Sequence, residues 1–161
     1  MTGQGAYRLS DSVREKIEAE IVKYPTARAA AKSGLRYAQA EHGWVSDGVI
    51  RAVAEILGLQ PIEVFEVATF YDMFYTRPVG RHQIRVCTNV SCMLRGSTQI
   101  MQQLRQALAV ENGQTTEDQR FTLSEAECLG ACDGAPMMMI DNDYHENLNL
   151  ETLGKVLEKY E

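Results

Sequence analysis

The chain has 161 residues, of which 45% are hydrophobic and 24% are charged, so it is long enough for one globular core or two small ones and is not a disordered chain. Its net charge of −6 argues against nucleic-acid binding, which requires a basic face. No apolar run approaches the ~18 residues of a membrane-spanning helix, and residues 1–8 carry no signal-peptide or transit-peptide pattern. We therefore expect a cytoplasmic protein, in which cysteines serve metals or catalysis.

Residues 1–80 are predicted to be helical, because apolar side chains recur there at helical spacing. The second helix, over about residues 26–42, has a face of small side chains that a neighbouring helix can approach closely. The start and stop signals, in chain order, are a capping box at Ser12 and Glu15, Pro25, Gly43, an N-cap at Ser46, Gly58, and Pro61 at a first helical position. We expect a small N-terminal four-helix bundle.

Nothing in this predicted bundle has the chemistry of an active site. Trp44 is interpreted as a packing residue, and the aromatic residues near the end of the fourth helix are interpreted first as core: Phe70, Tyr71, Phe74 and Tyr75. The alternative is that some of these aromatic side chains contact a partner, since interfaces favour them. A linker at residues 76–80 then divides the chain into domains 1–78 and 79–161.

The second domain is predicted to alternate strands and helices. A first strand over residues 83–87 delivers Cys87 at its end, and a helix opens at residues 96–97 after a loop. The N-terminus of that helix would point at the loop, where its N–H groups and dipole stabilise anionic sulfur. A second strand beginning at Phe121 leads to Cys128. The two cysteine loops are therefore expected at neighbouring strand ends.

The C-terminal part is predicted to be a β-hairpin and a last helix. Residues 136–140 and 144–148 form the hairpin, with its turn at residues 142–143, and Asn149 caps the helix. The three methionines at 137–139 could suggest a site for a soft metal. They are interpreted as core filler, because a strand sends alternate side chains to opposite faces and methionine packs well in cores.

The four cysteines form two close pairs, C-x4-C at Cys87 and Cys92 and C-x3-C at Cys128 and Cys132. Each pair is too close for a comfortable disulfide, but it can present two sulfurs from one loop to a shared metal centre. The spacing is compatible with an iron–sulfur cluster, with structural zinc, and with thiol redox chemistry or inert cysteine. None of the three histidines lies in either loop, which disfavours a Rieske-type centre.

Positive charge is concentrated around the first cysteine pair. Residues 77–110 contain no acid and five arginines: Arg77, Arg81, Arg85, Arg95 and Arg105. One interpretation is a solvated face on an acidic protein. The other is that cations near the first loop favour an anionic cluster, which gains a further negative charge on reduction.

The chain has no motif for a substrate site of its own. It lacks a dinucleotide-binding glycine pattern in the right context, a phosphate-binding loop, a catalytic triad order and a nucleophile elbow. The dithiol spacing C-x-x-C is also absent, which argues against thioredoxin activity. No catalytic residue is predicted, and a cluster held by this chain would carry single electrons. We expect its reduction potential to depend on exposure, on net charge and on N–H bonds to sulfur from residues such as 89–91 and 129–131.

Three segments resemble those of one known family, the E-type subunit of NADH-quinone oxidoreductase (respiratory complex I). They are Asp118-x-x-Phe121-Thr122-x5-Cys128-Leu129-Gly130-x-Cys132-x-x-Ala135-Pro136, then Cys87-x4-Cys92 followed by Leu94, Gly96 and Ser97, and Thr69-Phe70-Tyr71-x-x-Phe74. The resemblance implies an α+β two-part chain, in which an N-terminal helical docking domain precedes a thioredoxin-like α/β [2Fe-2S] ferredoxin domain. It also implies that Pro136 is the cis-proline of thioredoxin-like folds.

The same resemblance implies one [2Fe-2S] cluster, held by Cys87, Cys92, Cys128 and Cys132. The partner would be the F-type flavoprotein subunit that binds FMN and NADH, in the peripheral arm of complex I at the cytoplasmic face of the inner membrane, without direct membrane insertion. Two alternatives stay open. One is the equivalent diaphorase subunit of an NAD-dependent formate dehydrogenase or hydrogenase, and the other is a zinc-stabilised interaction module.

Overall fold

The computed structural model describes residues 7–160, so most of the N-terminal stretch in which no leader pattern was found lies outside the described residues. The chain divides into two compact units, Met1–Pro78 and Val79–Glu161. Helices and a mixed sheet make the protein an α+β chain. None of the helices within residues 7–160 combines the length and the apolar character needed to cross a lipid bilayer.

The first unit is entirely helical in its described part. In chain order it contains α1 (Asp11–Ile21), a 3-10 turn (Ala27–Ala30), α2 (Ala31–His42), α3 (Asp47–Leu57) and α4 (Pro61–Phe70). Its core is built from apolar side chains of all four helices, including Ile17, Leu35, Val49, Val53 and Val64. The small face of α2 lets its neighbours approach, since a Cβ at Gly34 would lie 3.2 Å from Val53 and 3.6 Å from Ile17.

Most helix boundaries of this unit follow the local sequence signals, with two exceptions. The N-cap of α1 is Ser10, whose Oγ accepts a hydrogen bond from Val13 N at 3.3 Å. The predicted capping box at Ser12 and Glu15 is therefore wrong, because Ser12 already lies inside the first turn. In addition, the predicted start of the second helix is replaced by the separate 3-10 turn at Ala27–Ala30.

The aromatic residues that follow α4 divide between the core and the surface. Phe74 is buried and Tyr75 is half-buried, whereas Phe70 is 80% exposed and Tyr71 is also exposed. The interpretation as core is thus right for Phe74 and wrong for Phe70 and Tyr71. Trp44 is partly buried, with its ring 5.7 Å from that of His42.

The second unit contains one four-stranded sheet and three α-helices within its described residues. In chain order the elements are β1 (His82–Cys87), α5 (Val90–Leu94), α6 (Ser97–Leu108), β2 (Phe121–Ala126), a 3-10 turn (Cys132–Gly134), β3 (Met138–Ile140), β4 (Asp143–His145) and α7 (Leu150–Leu157). The strand order is β2-β1-β3-β4. β1 pairs with β2 in parallel and with β3 in antiparallel orientation, so the sheet is mixed.

One face of the sheet carries the main core of this unit. Ile84 and Val86 of β1 pack there with Leu104 of α6 and Leu153 of α7. Because side chains alternate along a strand, Gln83, Arg85 and Cys87 occupy the other face of β1. The predicted strands and the last two long helices are therefore present, with Asn149 capping α7 as expected.

Two features of the second unit differ from prediction. The stretch between the first two cysteines contains α5, where only a loop was predicted. The hairpin is shorter than predicted and turns one residue earlier, because Ile140 pairs directly with Asp143 and residues 141–142 form the turn. Residues 137–139 are all buried, as the interpretation of the three methionines as core filler requires.

We expect one internal carboxylate to make the first unit sensitive to acid. Glu20 is nearly buried and accepts hydrogen bonds from Lys23 Nζ at 2.8 Å and from Tyr37 OH at 3.0 Å, which together lower the pKa of Glu20 below its ordinary value of 4.5. A lowered folded-state pKa stabilises the fold above the unfolded-state pKa and loses that contribution as the pH falls through the lowered value. Glu20→Gln should therefore reduce the free energy of unfolding at neutral pH but not at strongly acidic pH.

Urea denaturation at several pH values measures this difference. Glu18→Gln removes the same charge from an exposed position of the same helix and serves as the control. The stabilising role of ionised Glu20 would be contradicted if Glu20→Gln lowered the free energy of unfolding equally at all pH values. It would also be contradicted if Glu18→Gln lowered that free energy by the same amount.

A candidate metal centre formed by four cysteines

The parallel pairing of β1 and β2 brings the two cysteine loops together. Cys87 is the last residue of β1 and lies opposite Ala126, the last residue of β2. The next residue, Thr88, continues the pairing by donating its N–H to Ala126 O at 2.9 Å. Cys128 follows two residues after β2 ends, so both loops leave the same edge of the sheet.

The first cysteine pair is buried. Asn89 begins α5 by accepting a hydrogen bond from Val90 N through its side chain, and this short helix then carries Cys92. Cys87 is 2% exposed and Cys92 is 1% exposed. Both lie in a small apolar cluster with Ala135 and Met137.

The second cysteine pair is open to solvent. Cys128 and Cys132 are both exposed, and Cys132 begins the 3-10 turn. Between them, Gly130 has φ +81°, a left-handed conformation that glycine adopts without steric cost. The site therefore has a closed side at the first pair and an open side at the second.

Backbone N–H groups converge on the two buried sulfurs. Burial alone would raise the pKa of Cys87, but hydrogen bonds from the N–H groups of Asn89 and Leu129 and from the thiols of Cys92 and Cys128 outweigh it and lower that pKa. Cys92 has the opposite shift, because burial and its hydrogen bond to Cys87 raise its pKa more than the N–H of Met137 lowers it. Negative charge is thus favoured on the sulfur of Cys87.

Two of these three donors lie in the segments from which sequence reasoning predicts N–H bonds to sulfur. Asn89 belongs to residues 89–91 and Leu129 to residues 129–131. Met137 was missed as a donor. The available signal was its position directly after Pro136 in the motif around the second cysteine pair, where the peptide bond between Ala135 and Pro136 is cis as expected.

The arginines of residues 77–110 are not all near the cysteines. The guanidinium Nε of Arg95 donates to Ala135 O at 3.0 Å, which ties the segment after α5 to the segment after the second cysteine pair. Arg105 instead forms an ion pair with Glu111 beyond the end of α6. Arg95 is therefore bonded beside the cysteine loops, whereas Arg105 is paired with an acid elsewhere in the unit.

The four thiols are neighbours but do not enclose a single ion. The sulfur of Cys87 interacts with those of Cys92 and Cys128, and Cys92 is influenced in turn by Cys132. Across residues 7–160, however, no three His, Cys, Asp or Glu side chains are grouped so that they could hold one metal ion. Four thiols with backbone N–H donors suit a group that spreads negative charge over several sulfurs.

Glu146 packs tightly against the 3-10 turn that begins at Cys132. A Cβ built on Gly134 would lie 2.7 Å from the Cβ of Glu146, which is closer than real Cβ atoms approach. The turn and the end of β4 are also joined by a hydrogen bond of 2.7 Å from Asn147 N to Gly134 O. Gly134 is therefore required by close approach of two backbone segments.

Residues 17–161 match the thioredoxin-like [2Fe-2S] ferredoxin family. An E-type subunit of NADH-quinone oxidoreductase from Rhizobium meliloti (strain 1021), the second of that type by its name, is 46% identical over 92% of this chain and 89% of its own length. The E-type subunit of NADH-quinone oxidoreductase from Escherichia coli (strain K12) is 45% identical over 96% of this chain and 93% of its own.

Among solved structures, an NAD+-reducing [NiFe]-hydrogenase in the air-oxidized state matches with a TM-score of 0.69. That match is 25% identical in sequence and covers 78% of this chain but 22% of the hydrogenase chain. The fold of this protein therefore recurs as part of a longer redox protein.

We expect Gly134→Ala to lower the free energy of unfolding by about 1–3 kcal/mol, because the added methyl group overpacks the contact with Glu146. Gly154→Ala in α7 is the matched control, since a Cβ there meets nothing within 4 Å and alanine favours a helix. Chemical denaturation of both variants measures the effect. If Gly134→Ala and the unchanged chain had the same free energy of unfolding, Glu146 would be able to move away from the added methyl group without destabilising the fold.

Proposed function

We propose, from the premise that this chain belongs to the thioredoxin-like [2Fe-2S] ferredoxin family, that it is the one-electron carrier subunit of an NADH-quinone oxidoreductase. The observation that carries the proposal is the meeting of the two cysteine loops at one edge of the sheet, beside N–H donors to sulfur. The high identity to relatives named as E-type subunits of that enzyme, over nearly their whole length, supports the same assignment.

Cys87, Cys92, Cys128 and Cys132 would hold the cluster, with each loop supplying two thiolates. Two sulfurs from each of two loops match the division of the cysteines into a buried and an exposed pair. When bound, a [2Fe-2S] cluster accepts and returns one electron at a time.

The chain's own residues would stabilise the charge and limit the access of water. The N–H groups of Asn89, Leu129 and Met137 face the buried sulfurs, where hydrogen bonds to sulfur favour the more negative state. Ala135 and Met137 exclude water from the same side. The exposed cysteines leave the other side within reach of a partner.

A flavoprotein that binds FMN and NADH would be that partner. NADH delivers two electrons together as a hydride, so a flavin must divide them before a one-electron carrier can act, and the sequence has no dinucleotide-binding motif in a suitable context. We place the complex at the cytoplasmic face of the inner membrane, with this chain in the peripheral arm.

We further propose that unit 1, a four-helix bundle in this interpretation, is the docking domain. An exposed apolar patch, which we call the α4 patch, lies along α4 and the residues after it: Ile62, Phe65, Phe70, Tyr71 and Met73. Phe70 is the most exposed member, and its ring packs edge-on against Tyr71 at 5.0 Å. Exposed large apolar side chains that are grouped along one element are typical of interfaces.

A second candidate is the equivalent diaphorase subunit of an NAD-dependent hydrogenase or formate dehydrogenase. The structural likeness to the NAD+-reducing [NiFe]-hydrogenase favours it. Co-purification separates the two candidates, because a complex I subunit brings quinone reductase subunits with it, whereas a diaphorase subunit brings a hydrogenase or formate dehydrogenase. A third candidate, a zinc-stabilised interaction module, predicts a colourless protein.

Cluster binding is tested with protein purified without oxygen. We expect a brown protein with two irons per chain whose visible absorption is bleached by dithionite, and we expect Cys128→Ser to abolish most of the iron content. Met93→Ser changes an exposed side chain next to Cys92 in the sequence and should leave the iron content unaltered. A colourless protein that holds one zinc ion would refute the proposal, and unchanged iron in Cys128→Ser would refute the ligand set.

Docking is tested by affinity purification of tagged chain from cells. Phe70→Ser should reduce the amount of the FMN-containing flavoprotein, identified by flavin fluorescence and mass spectrometry, by about tenfold or more, since buried aromatic anchors dominate interface energies. Val22→Ser removes an equally exposed apolar side chain outside the α4 patch and should retain it. Full recovery of the flavoprotein with Phe70→Ser would place the interface elsewhere.

A further inference from the structure

Arg85 carries a buried donor for which the fold supplies no acceptor. Its Nε is buried and has no hydrogen-bond partner among the described residues. A polar group left unpaired in this way costs free energy, and a charged one costs more. Nothing in the packing of the sheet accounts for an arginine at this position, because the same face of β1 could hold an apolar side chain. A role outside the packing is therefore indicated.

The position of Arg85 relates it to the cysteine site. Arg85 and Cys87 lie two residues apart on β1, so their side chains leave the same face of the sheet, with Cα atoms ~7 Å apart. The opposite face of β1 holds Ile84 and Val86 in the main core. The guanidinium group therefore lies on the face that leads to the first cysteine pair.

The charge of Arg85 is not neutralised by its neighbours in the sheet. The residues in register with it are Ser124 on β2 and Met139 on β3, both uncharged, and the next in that row is Tyr144 on β4. Asp141, the acid in the turn between β3 and β4, accepts hydrogen bonds from His82 and from Gln83 N and not from Arg85. Arg85 therefore presents a fixed positive charge, since a guanidinium group stays protonated at every working pH.

We propose that the fixed positive charge of Arg85 favours electron uptake at the cysteine site. It does so by raising the reduction potential of the group bound by the four cysteines. This inference rests on the proposed function, because it requires a centre that gains one negative charge on reduction. A cation on the same face of the sheet favours the reduced state of such a centre, because reduction adds negative charge. Removing the charge should lower the ratio of reduced to oxidised centre at a fixed potential by about tenfold, which corresponds to ~59 mV for a one-electron couple.

The experiment is a redox titration of the full chain, purified without oxygen and followed by electron paramagnetic resonance and visible absorption. Arg85→Gln should move the midpoint potential to a more negative value, whereas Arg85→Lys, which keeps the charge, should stay near the unchanged chain. Arg85→Met provides a second neutral variant that keeps most of the aliphatic stem, in case glutamine disturbs loading of the centre. Arg105→Gln is the matched control, because that arginine is already ion-paired with Glu111 in a different part of the unit.

The outcomes separate this inference from the proposed function. If the unchanged chain shows no [2Fe-2S] signal, the proposed function fails and the inference fails with it. If the unchanged chain shows the signal but both neutral variants keep its midpoint potential, or shift no more than Arg105→Gln, the inference alone is overturned. Equal negative shifts in Arg85→Lys and Arg85→Gln would also overturn it, because they would trace the effect to shape and not to charge.

Discussion

The parallel register between β1 and β2 is the constraint on which the rest of the second unit depends. It sets Cys87 opposite Ala126, so that two loops far apart in sequence begin at the same edge of the sheet. The same register decides which side chains enter the core. A slip of one residue would exchange Ile84 and Val86 for Arg85 and Cys87, removing apolar side chains from the core and taking Cys87 away from the other cysteines.

The elements that sequence reasoning predicted well are those whose signals are local. Ser46 and Gly58 bound α3, and Pro61 begins α4, because an N-cap hydroxyl, a left-handed glycine and a first-turn proline act within a few residues. The helix α5 was missed, since five residues are too few for helical periodicity to appear. The start of α1 was misjudged for a related reason: two serines lie close together, and only the chain direction before the helix decides which of them caps it.

At the candidate site, too, sequence reasoning predicted the local contacts and missed a contact between residues far apart in the chain. The family resemblance carried by the two cysteine loops is confirmed by the family match and by the relatives named as E-type subunits. Donors inside the loops, such as Asn89 and Leu129, could be predicted because each lies within two residues of a cysteine in the sequence, although the N–H of Leu129 reaches Cys87 of the other loop. Met137 could not, because it reaches Cys92 through the pairing of β1 with β3. Helical spacing likewise identifies aromatic side chains near α4 without telling whether they face a core or a partner.

The asymmetry of the cysteine site resolves two opposing requirements. A redox centre that cycles its charge needs low water access and fixed dipoles, so that little reorganisation accompanies each electron, yet it must also lie close to the donor of that electron. The buried pair meets the first requirement, because water has little access to its sulfurs and the backbone N–H groups of Asn89, Leu129 and Met137 donate to them. The exposed pair meets the second, because Cys128 and Cys132 stand on a glycine-containing loop at the surface. A site buried on both sides would isolate the centre from any partner, and one exposed on both sides would let water compete with the N–H donors for its sulfurs.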